Sequence, residues 1–248
     1  MKKLIVGNLK MNMENVSQRD AYCKDILEEF SSIKTKHEIV VCPPIIYTEY
    51  FCRVLQKSGI VVGAQDCFWE LYGSYTGNTS PKSIRSLGGQ YVIIGHSERR
   101  DYNHESDEDV LRKTMMALRS ELVPIVCTGF LSHEDEMQSV QSQIDILVQN
   151  FEWEEMQSVI IAYEPVWAIG SGKIPTSDDI HTMVMYIRSI IAHKFGNKKS
   201  LEIPVLYGGS VNAENIKETC VDAYADGVLV GGASLAPVKF ANIVRNLY

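Results

Sequence analysis

The sequence predicts a single (β/α)8 barrel, an α/β fold in which eight parallel strands are surrounded by helices. Eight short apolar runs occur along the chain, and amphipathic stretches of helical length separate them. A length of 248 residues suits one such barrel, and no Pro-, Gly- or Ser-rich linker divides the chain. We therefore expect one barrel domain over residues 1–248.

Each predicted strand is rich in Val, Ile or Leu, without polar alternation. Continuous hydrophobicity is typical of parallel strands that are covered on both faces. The predicted strands are residues 4–6, 39–41, 60–62, 91–94, 123–126, 159–162, 204–207 and 228–230.

Helices are predicted from the spacing of apolar residues and from their end signals. Ser17 and Asp20 are expected to form a capping box at the start of the first helix. A later helix is expected to begin near Ser177 and to stop at Gly196. The expected apolar faces are Ile26, Leu27, Phe30 and Ile33, then Ile180, Val184, Ile187 and Ile191, and finally Phe240, Ile243, Val244 and Leu247.

The composition of the chain limits the kinds of molecule that it is expected to bind. The chain has 24 Lys and Arg residues and 31 Asp and Glu residues, so its net charge is −7. This negative charge argues against binding to nucleic acid or to an anionic membrane. No apolar run approaches the roughly 18 residues of a membrane span, and the first run is shorter than the roughly 7 to 15 residues of a secretory signal. We expect a cytoplasmic protein whose partners are small molecules or protein.

The six cysteines are sparse and form no C-x-x-C pair. This pattern favours buried free thiols over a disulfide framework or a thiolate metal site.

In a barrel of this kind the chemistry lies in loops at the carboxyl ends of the strands. Of six histidines, only His96 directly follows a predicted strand. Glu164 follows the sixth strand among aromatic residues and a proline, which suits a general base and equally suits a salt-bridged structural carboxylate. Asn8 and Lys10 follow the first strand, although alone they also fit a turn residue and a solvated lysine. Glu98, near His96, belongs to a segment that more often makes structural ion pairs.

Two glycine pairs follow the last two strands, at residues 208–209 and 231–232. Barrels often build a phosphate site there from backbone N–H groups and a short helix N-terminus, and Ser210 would add a hydroxyl. The alternative is that the glycines only permit tight turns. Two pairs in the two expected loops favour phosphate.

The segment 168–175 is longer than a tight turn requires and combines glycines with an apolar tip. This favours a lid that closes over a ligand and excludes water, against an ordinary exposed loop.

Five motifs in order give the chain a resemblance to the triose-phosphate isomerase family over its whole length. They are GNLKMN at residues 7–12, YVIIGHSERR at 91–100, AYEPVWAIG at 162–170, YGGSV at 207–211 and LVGGA at 229–233. The resemblance implies the TIM barrel fold and the interconversion of dihydroxyacetone phosphate and glyceraldehyde 3-phosphate, a step of glycolysis and gluconeogenesis. It implies no metal or organic cofactor, since the proton transfer needs only an acid, a base and an oxyanion site.

The resemblance also implies roles for single residues. Glu164 would be the base and His96 the neutral electrophile. Asn8 and Lys10 would hold the substrate oxygen and phosphate, and Glu98 would support Lys10 and His96. The phosphate would lie among Gly170, Ser210, Gly231 and Gly232.

Members of this family are usually homodimers. The resemblance implies that a loop over residues 68–80 enters the neighbouring subunit and that Thr76 reaches the active site there.

Several positions depart from the family pattern. Leu9 stands where Trp is usual, Asp66 where Asn is usual, Phe130 and Asn78 where Glu is common, and Pro175 where a small non-proline residue is common. Asp66 and Asn78 bear on the expected dimer contact.

Two of these departures affect the expected lid. Phe130 is expected to remove the carboxylate that accepts a hydrogen bond from the lid indole, here Trp167, when the lid is open. Pro175 has no backbone N–H group, so it is expected to remove the hydrogen bond that the Tyr207 hydroxyl would accept from this position when the lid is closed. Losing one bond from each state is expected to leave the lid equilibrium near the family norm.

The sequence is also compatible with other functions. One alternative is another phosphate-binding barrel, a metal-dependent sugar-phosphate epimerase or a synthase of similar architecture. Such an epimerase would need a His/Asp metal set at the strand ends, but only one His is there. A barrel glycosidase using Glu98 and Glu164 leaves His96 and the glycine pairs unexplained. A non-catalytic barrel that serves as a scaffold or binds a surface is disfavoured, because Asn8, Lys10, His96 and Glu164 are all present.

Overall fold

The computed structural model describes residues 2–129, 136–168 and 175–247, and within them eight parallel strands form a closed barrel in chain order. Strand β1 pairs with both β2 and β8, which closes the sheet. The (β/α)8 prediction is therefore confirmed, and each predicted strand is found with its ends shifted by at most two residues. The strands are β1 (Leu4–Asn8), β2 (Glu38–Cys42), β3 (Ile60–Ala64), β4 (Tyr91–Ile94), β5 (Val123–Thr128), β6 (Ile160–Tyr163), β7 (Val205–Tyr207) and β8 (Gly227–Val230).

Helices surround the barrel, and short helical turns follow several strands. The α-helices are α1 (Val16–Ser31), α2 (Thr48–Leu55), α3 (Pro81–Ser86), α4 (Ser97–Tyr102), α5 (Asp107–Arg119), α6 (Glu136–Asn150), α7 (Trp153–Met156), α8 (Ser177–Phe195), α9 (Asn197–Ser200) and α10 (Pro237–Arg245). Lys217–Asp222 forms a π-helical segment, and 3-10 turns span Ile45–Tyr47, Val166–Ala168 and Gly232–Leu235.

The strands are buried on both faces, as their continuous hydrophobicity predicts. One apolar cluster fills the inside of the barrel and includes Val6, Val40, Ile93 and Leu206. A larger cluster lies between the strands and the helices. The barrel interior is therefore packed, and the site residues lie where the strands end.

The predicted helix ends are partly wrong. Helix α1 begins at Val16, and its N-cap is Asn15, whose side chain accepts from the backbone N–H of Gln18 at 3.0 Å. Ser17 and Asp20 therefore lie inside the helix, and the predicted capping box is not formed. Ile33 and Leu247 lie beyond the ends of α1 and α10.

The predicted buried face of helix α8 is confirmed, and so are both of its ends. The helix begins at Ser177, and Gly196 ends it with φ of +86°, a conformation that glycine adopts without strain.

No helix in the described ranges is long and apolar enough to cross a membrane. All six cysteines have free thiols, five of them buried.

Candidate active site

Glu164 lies directly after β6, and its side chain is buried, with 2% of the residue exposed. Its Oε2 accepts from the backbone N–H of Ser97 at 2.9 Å, and its Oε1 lies 3.1 Å from His96 Nε2. A Cβ atom on Gly208 would lie 3.0 Å from Glu164 Cγ, so the loop after β7 packs closely against this carboxylate. The carboxylate is thus fixed in a site that water barely reaches.

His96 follows β4 and is the N-cap of helix α4. Its Nδ1 accepts from the backbone N–H of Glu98 at 3.1 Å. Because a backbone N–H can only donate, Nδ1 carries no proton, and the ring proton lies on Nε2, which faces Glu164. The geometry therefore holds a neutral imidazole with its N–H group in the site.

Lys10 has a backbone φ of +50°, which is unusual for a residue with a side chain. Its N–H donates to Asn8 Oδ1 at 3.0 Å, and its carbonyl accepts from Gln65 Nε2 at 2.8 Å. Its Nζ forms an ion pair with Glu98 Oε1 at 2.5 Å. Asn8, Lys10 and Glu98 are therefore brought together beside His96.

The predicted phosphate residues are placed only in part. A Cβ atom on Gly231 would lie 3.3 Å from Lys10 Cε, so the loop after β8 lies along the lysine side chain. Gly232 and Ser210 are exposed at the carboxyl ends of β8 and β7. Gly170 lies outside the described residues.

Cys127 in β5 is also buried beside the candidate base. Burial raises the pKa of its thiol well above the usual range, and the negative charge of Glu164 adds to this rise. The thiol is therefore held in its protonated form. In the described part of the chain, no group of three or more His, Cys, Asp or Glu side chains is arranged to hold a metal ion.

Glu136 is a residue of the site that the sequence did not predict. Its Oε1 accepts from the Tyr163 hydroxyl at 2.6 Å and from Trp167 Nε1 at 2.8 Å, and the carboxylate is buried. The expectation that Phe130 leaves the indole without a carboxylate partner is therefore wrong, since helix α6 supplies one. Phe130 itself lies outside the described residues.

The carboxyl end of β7 differs from that of β6. The Tyr207 hydroxyl is buried and has no hydrogen-bond partner among the described residues. Pro175 is buried too and, as a proline, has no N–H group to offer. Most of the predicted lid lies outside the described residues.

The sequence profile of the triosephosphate isomerase family matches residues 3–247. The chain belongs to the triosephosphate isomerase family. It is 40% identical over 246 residues to the triosephosphate isomerase of Thermoanaerobacter pseudethanolicus, with 98% of each chain covered. It is 39% identical to that of Dictyoglomus turgidum, with 99% of each covered, and 38% identical to that of Lactobacillus delbrueckii subsp. lactis, with 98% of this chain and 97% of the relative covered.

This family assignment makes the chain an isomerase acting on triose phosphates, and it does not favour an epimerase or an inert scaffold. The five sequence motifs that indicated the family lie at strand ends where the described geometry brings Lys10, His96 and Glu164 together.

Proposed function

We propose that the interconversion of dihydroxyacetone phosphate and D-glyceraldehyde 3-phosphate proceeds at this site through an enediol(ate), with Glu164 as the base. The observation that carries the proposal is the buried carboxylate of Glu164 facing the Nε2–H of a neutral His96 at 3.1 Å. Glu164 takes a proton from the carbon next to the carbonyl and returns it to the former carbonyl carbon, while the hydroxyl proton of the first carbon passes to the former carbonyl oxygen. One carboxylate therefore serves both directions of the reaction.

His96 is the electrophile in this proposal. Its Nε2–H donates a hydrogen bond to the substrate oxygen on which negative charge develops. Lys10 adds a positive charge, and Asn8 helps to hold the substrate oxygen. Glu98 binds no substrate and positions Lys10 through their ion pair.

The substrate phosphate is proposed to lie among Gly170, Ser210, Gly231 and Gly232, next to Lys10. Gly231 supports this, because its lack of a side chain leaves room for Lys10. In an acidic protein, a lysine at this point also attracts a dianionic substrate.

We also propose a homodimer built on residues 68–80. Phe68 packs on Trp69 and Tyr75, with ring centroids 4.2 and 4.8 Å apart, so this loop is a folded projection, and Thr76 is exposed within it. Asp66 precedes this loop and Asn78 lies within it. Large apolar side chains are exposed on this and nearby loops, including Met11 at 94% and Tyr72 at 89%, as expected for an interface. Sedimentation of the protein as a monomer at micromolar concentration would exclude the dimer.

We also propose a cellular location and a domain organisation for the enzyme. Six free thiols suit a reducing compartment, which supports a cytoplasmic enzyme of glycolysis and gluconeogenesis. The closed barrel supports one catalytic domain over residues 1–248.

The decisive experiment measures the isomerisation in the presence of a metal chelator, for the natural protein and for Glu164→Gln. We expect full activity with chelator, and a loss of about 10²- to 10⁴-fold in kcat for Glu164→Gln because a general base is removed. Inorganic phosphate should still bind the variant. Exposed Glu202→Gln is the matched control, with unchanged kcat. Near-normal turnover by Glu164→Gln would show that another group is the base, and loss of activity in chelator would indicate a metal enzyme.

A further inference from the structure

We propose that Gln143, in helix α6, is a positioning residue that fixes the backbone of the base. This inference rests on the proposed role of Glu164. The hydrogen bonds of Gln143 go to Thr128 and Gly129, not to the carboxylate of Glu164 or to His96, so it acts through the loop that follows β5.

The side-chain amide of Gln143 binds both backbone groups of one residue, Gly129. Its Oε1 accepts from Gly129 N at 2.9 Å, and its Nε2 donates to Gly129 O at 3.1 Å. The hydroxyl of Thr128 donates to the same Oε1 at 2.7 Å. All of these groups are buried, so the amide is the partner that satisfies them.

Gly129 and Thr128 in turn contact the backbone of Glu164. The N–H of Glu164 donates to Thr128 O at 2.7 Å. A Cβ atom on Gly129 would lie 1.9 Å from the carbonyl oxygen of Glu164, and the φ of +153° at this position also requires glycine. The two backbones therefore touch with no space between them.

The hydrogen bonds between β5 and β6 do not by themselves fix the position of Gly129 beside Glu164. The register between β5 and β6 ends at Thr128 and Tyr163, one residue before Gly129 and Glu164. Beyond the last paired residues, the side chain of Gln143 makes the two hydrogen bonds with Gly129 that a neighbouring strand would otherwise make. A small shift of Gly129 would move Glu164, whose oxygens lie 2.9 Å from Ser97 N and 3.1 Å from His96 Nε2.

An amide is the group this position requires. It offers one acceptor and one donor side by side, whereas a carboxylate only accepts and would repel the carbonyl oxygen of Gly129. A protonated carboxyl group restores the donor. The variant Gln143→Glu therefore has a diagnostic pH dependence.

The test compares kcat, KM and the inhibition constant of inorganic phosphate for Gln143→Leu and Gln143→Glu. We expect kcat to fall about 10- to 100-fold, because misplacing a reacting group by a fraction of an ångström lowers the rate without weakening binding. KM and phosphate inhibition should change by less than about threefold. The matched control is Gln141→Leu on the same helix, where the exposed amide accepts one bond from the Tyr186 hydroxyl at 3.0 Å.

For Gln143→Glu, kcat relative to the natural enzyme should recover as the pH falls and the new carboxyl group takes up a proton. A purely structural role would lower thermal stability and leave kcat and this pH profile unchanged, which would overturn the proposal. A rise in KM at constant kcat, or an equal loss in Gln141→Leu, would also overturn it. If Gln143→Leu fails to fold, the pH profile of Gln143→Glu decides. Failure of the base assignment itself appears separately, as turnover by Glu164→Gln.

Discussion

Tyr163 in β6 and Tyr207 in β7 are paired in the parallel register, and both are buried. Their hydroxyls differ in hydrogen bonding. Burial raises the pKa of both hydroxyls, so both are protonated donors. The Tyr163 hydroxyl donates to Glu136, whereas that of Tyr207 has no partner among the described residues. An unpaired buried hydroxyl costs about 1 to 3 kcal/mol. Among the described residues, the hydroxyl on the β6 side is therefore stabilised by a polar contact, and the hydroxyl on the β7 side is not.

The strongest way to break this contrast is Glu136→Ala. It leaves the Tyr163 hydroxyl and the Trp167 indole N–H without their shared acceptor. We expect the free energy of unfolding, measured in urea, to fall by about 2 to 4 kcal/mol, since the buried Tyr163 hydroxyl loses its acceptor and the half-buried Trp167 indole loses a hydrogen bond to a carboxylate. Exposed Glu154→Ala is the control, with a change within about 0.5 kcal/mol. A loss below 1 kcal/mol at Glu136 would show that the carboxylate is dispensable.

Removing each hydroxyl in turn tests the contrast directly. Tyr163→Phe deletes a donor to a carboxylate and should lower the free energy of unfolding by about 1.5 to 3 kcal/mol. Tyr207→Phe deletes a hydroxyl that has no partner among the described residues, and it should leave that energy unchanged or raise it by less than about 1 kcal/mol. The two variants remove the same atom at the same depth, so equal losses would refute the difference between the two sides.

Pro175→Ala sharpens the contrast by giving the β7 side a possible donor. The new backbone N–H is expected to pair with the Tyr207 hydroxyl when the lid closes, and so to tighten a phosphate-bearing enediolate mimic by about 2- to 10-fold, the equivalent of one net hydrogen bond. Product release should slow. The gain should vanish in a Tyr207→Phe background, and persistence there would assign it to the hinge instead.

Asp66 is a partly buried charged group, and it can be compared with the two buried hydroxyls. Its carboxylate lies 2.8 Å from Lys113 Nζ and 3.0 Å from an Arg99 nitrogen, yet burial, with the charge of Glu105 adding, raises its pKa to about 6. A raised pKa means that the folded state binds the proton more tightly, so this stabilisation is complete below about pH 4 and is lost as the pH rises through 6.

Asp66→Asn should remove that pH dependence. The unfolding free energy of the natural protein minus that of the variant should fall by about 1 kcal/mol between pH 5 and pH 6, as followed by urea titration. An increase over the same range would mean that the two cations outweigh the effect of burial.

The barrel and the positions of the principal candidate residues at its strand ends follow from the sequence for a simple reason. Parallel strands that are covered on both faces leave continuous apolar runs, and barrel topology brings the residues after those runs together. Glu164, His96 and Lys10 could therefore be placed without knowledge of any side-chain contact.

Glu136 and Gln143 were missed because their partners are set by how helix α6 packs over the strand ends. A signal was nevertheless present, since both share the buried stripe of α6 with Val140, Ile144 and Leu147. A polar residue on an apolar stripe indicates a buried partner, although not which one. The start of α1 was misplaced because Asn15 caps the helix one position before Val16, ahead of the Ser17–Asp20 pattern.

The left-handed backbone of Lys10 has a consequence for protein engineering. A non-glycine residue in this conformation costs about 1 to 2 kcal/mol, and Asn8 and Gln65 hold it there through its N–H and its carbonyl. A lysine grafted alone onto the first loop of another barrel would relax to an ordinary φ and point its ammonium group elsewhere. The transferable unit for a designer is therefore Asn8, Lys10 and Gln65 together, drawn from two different strands.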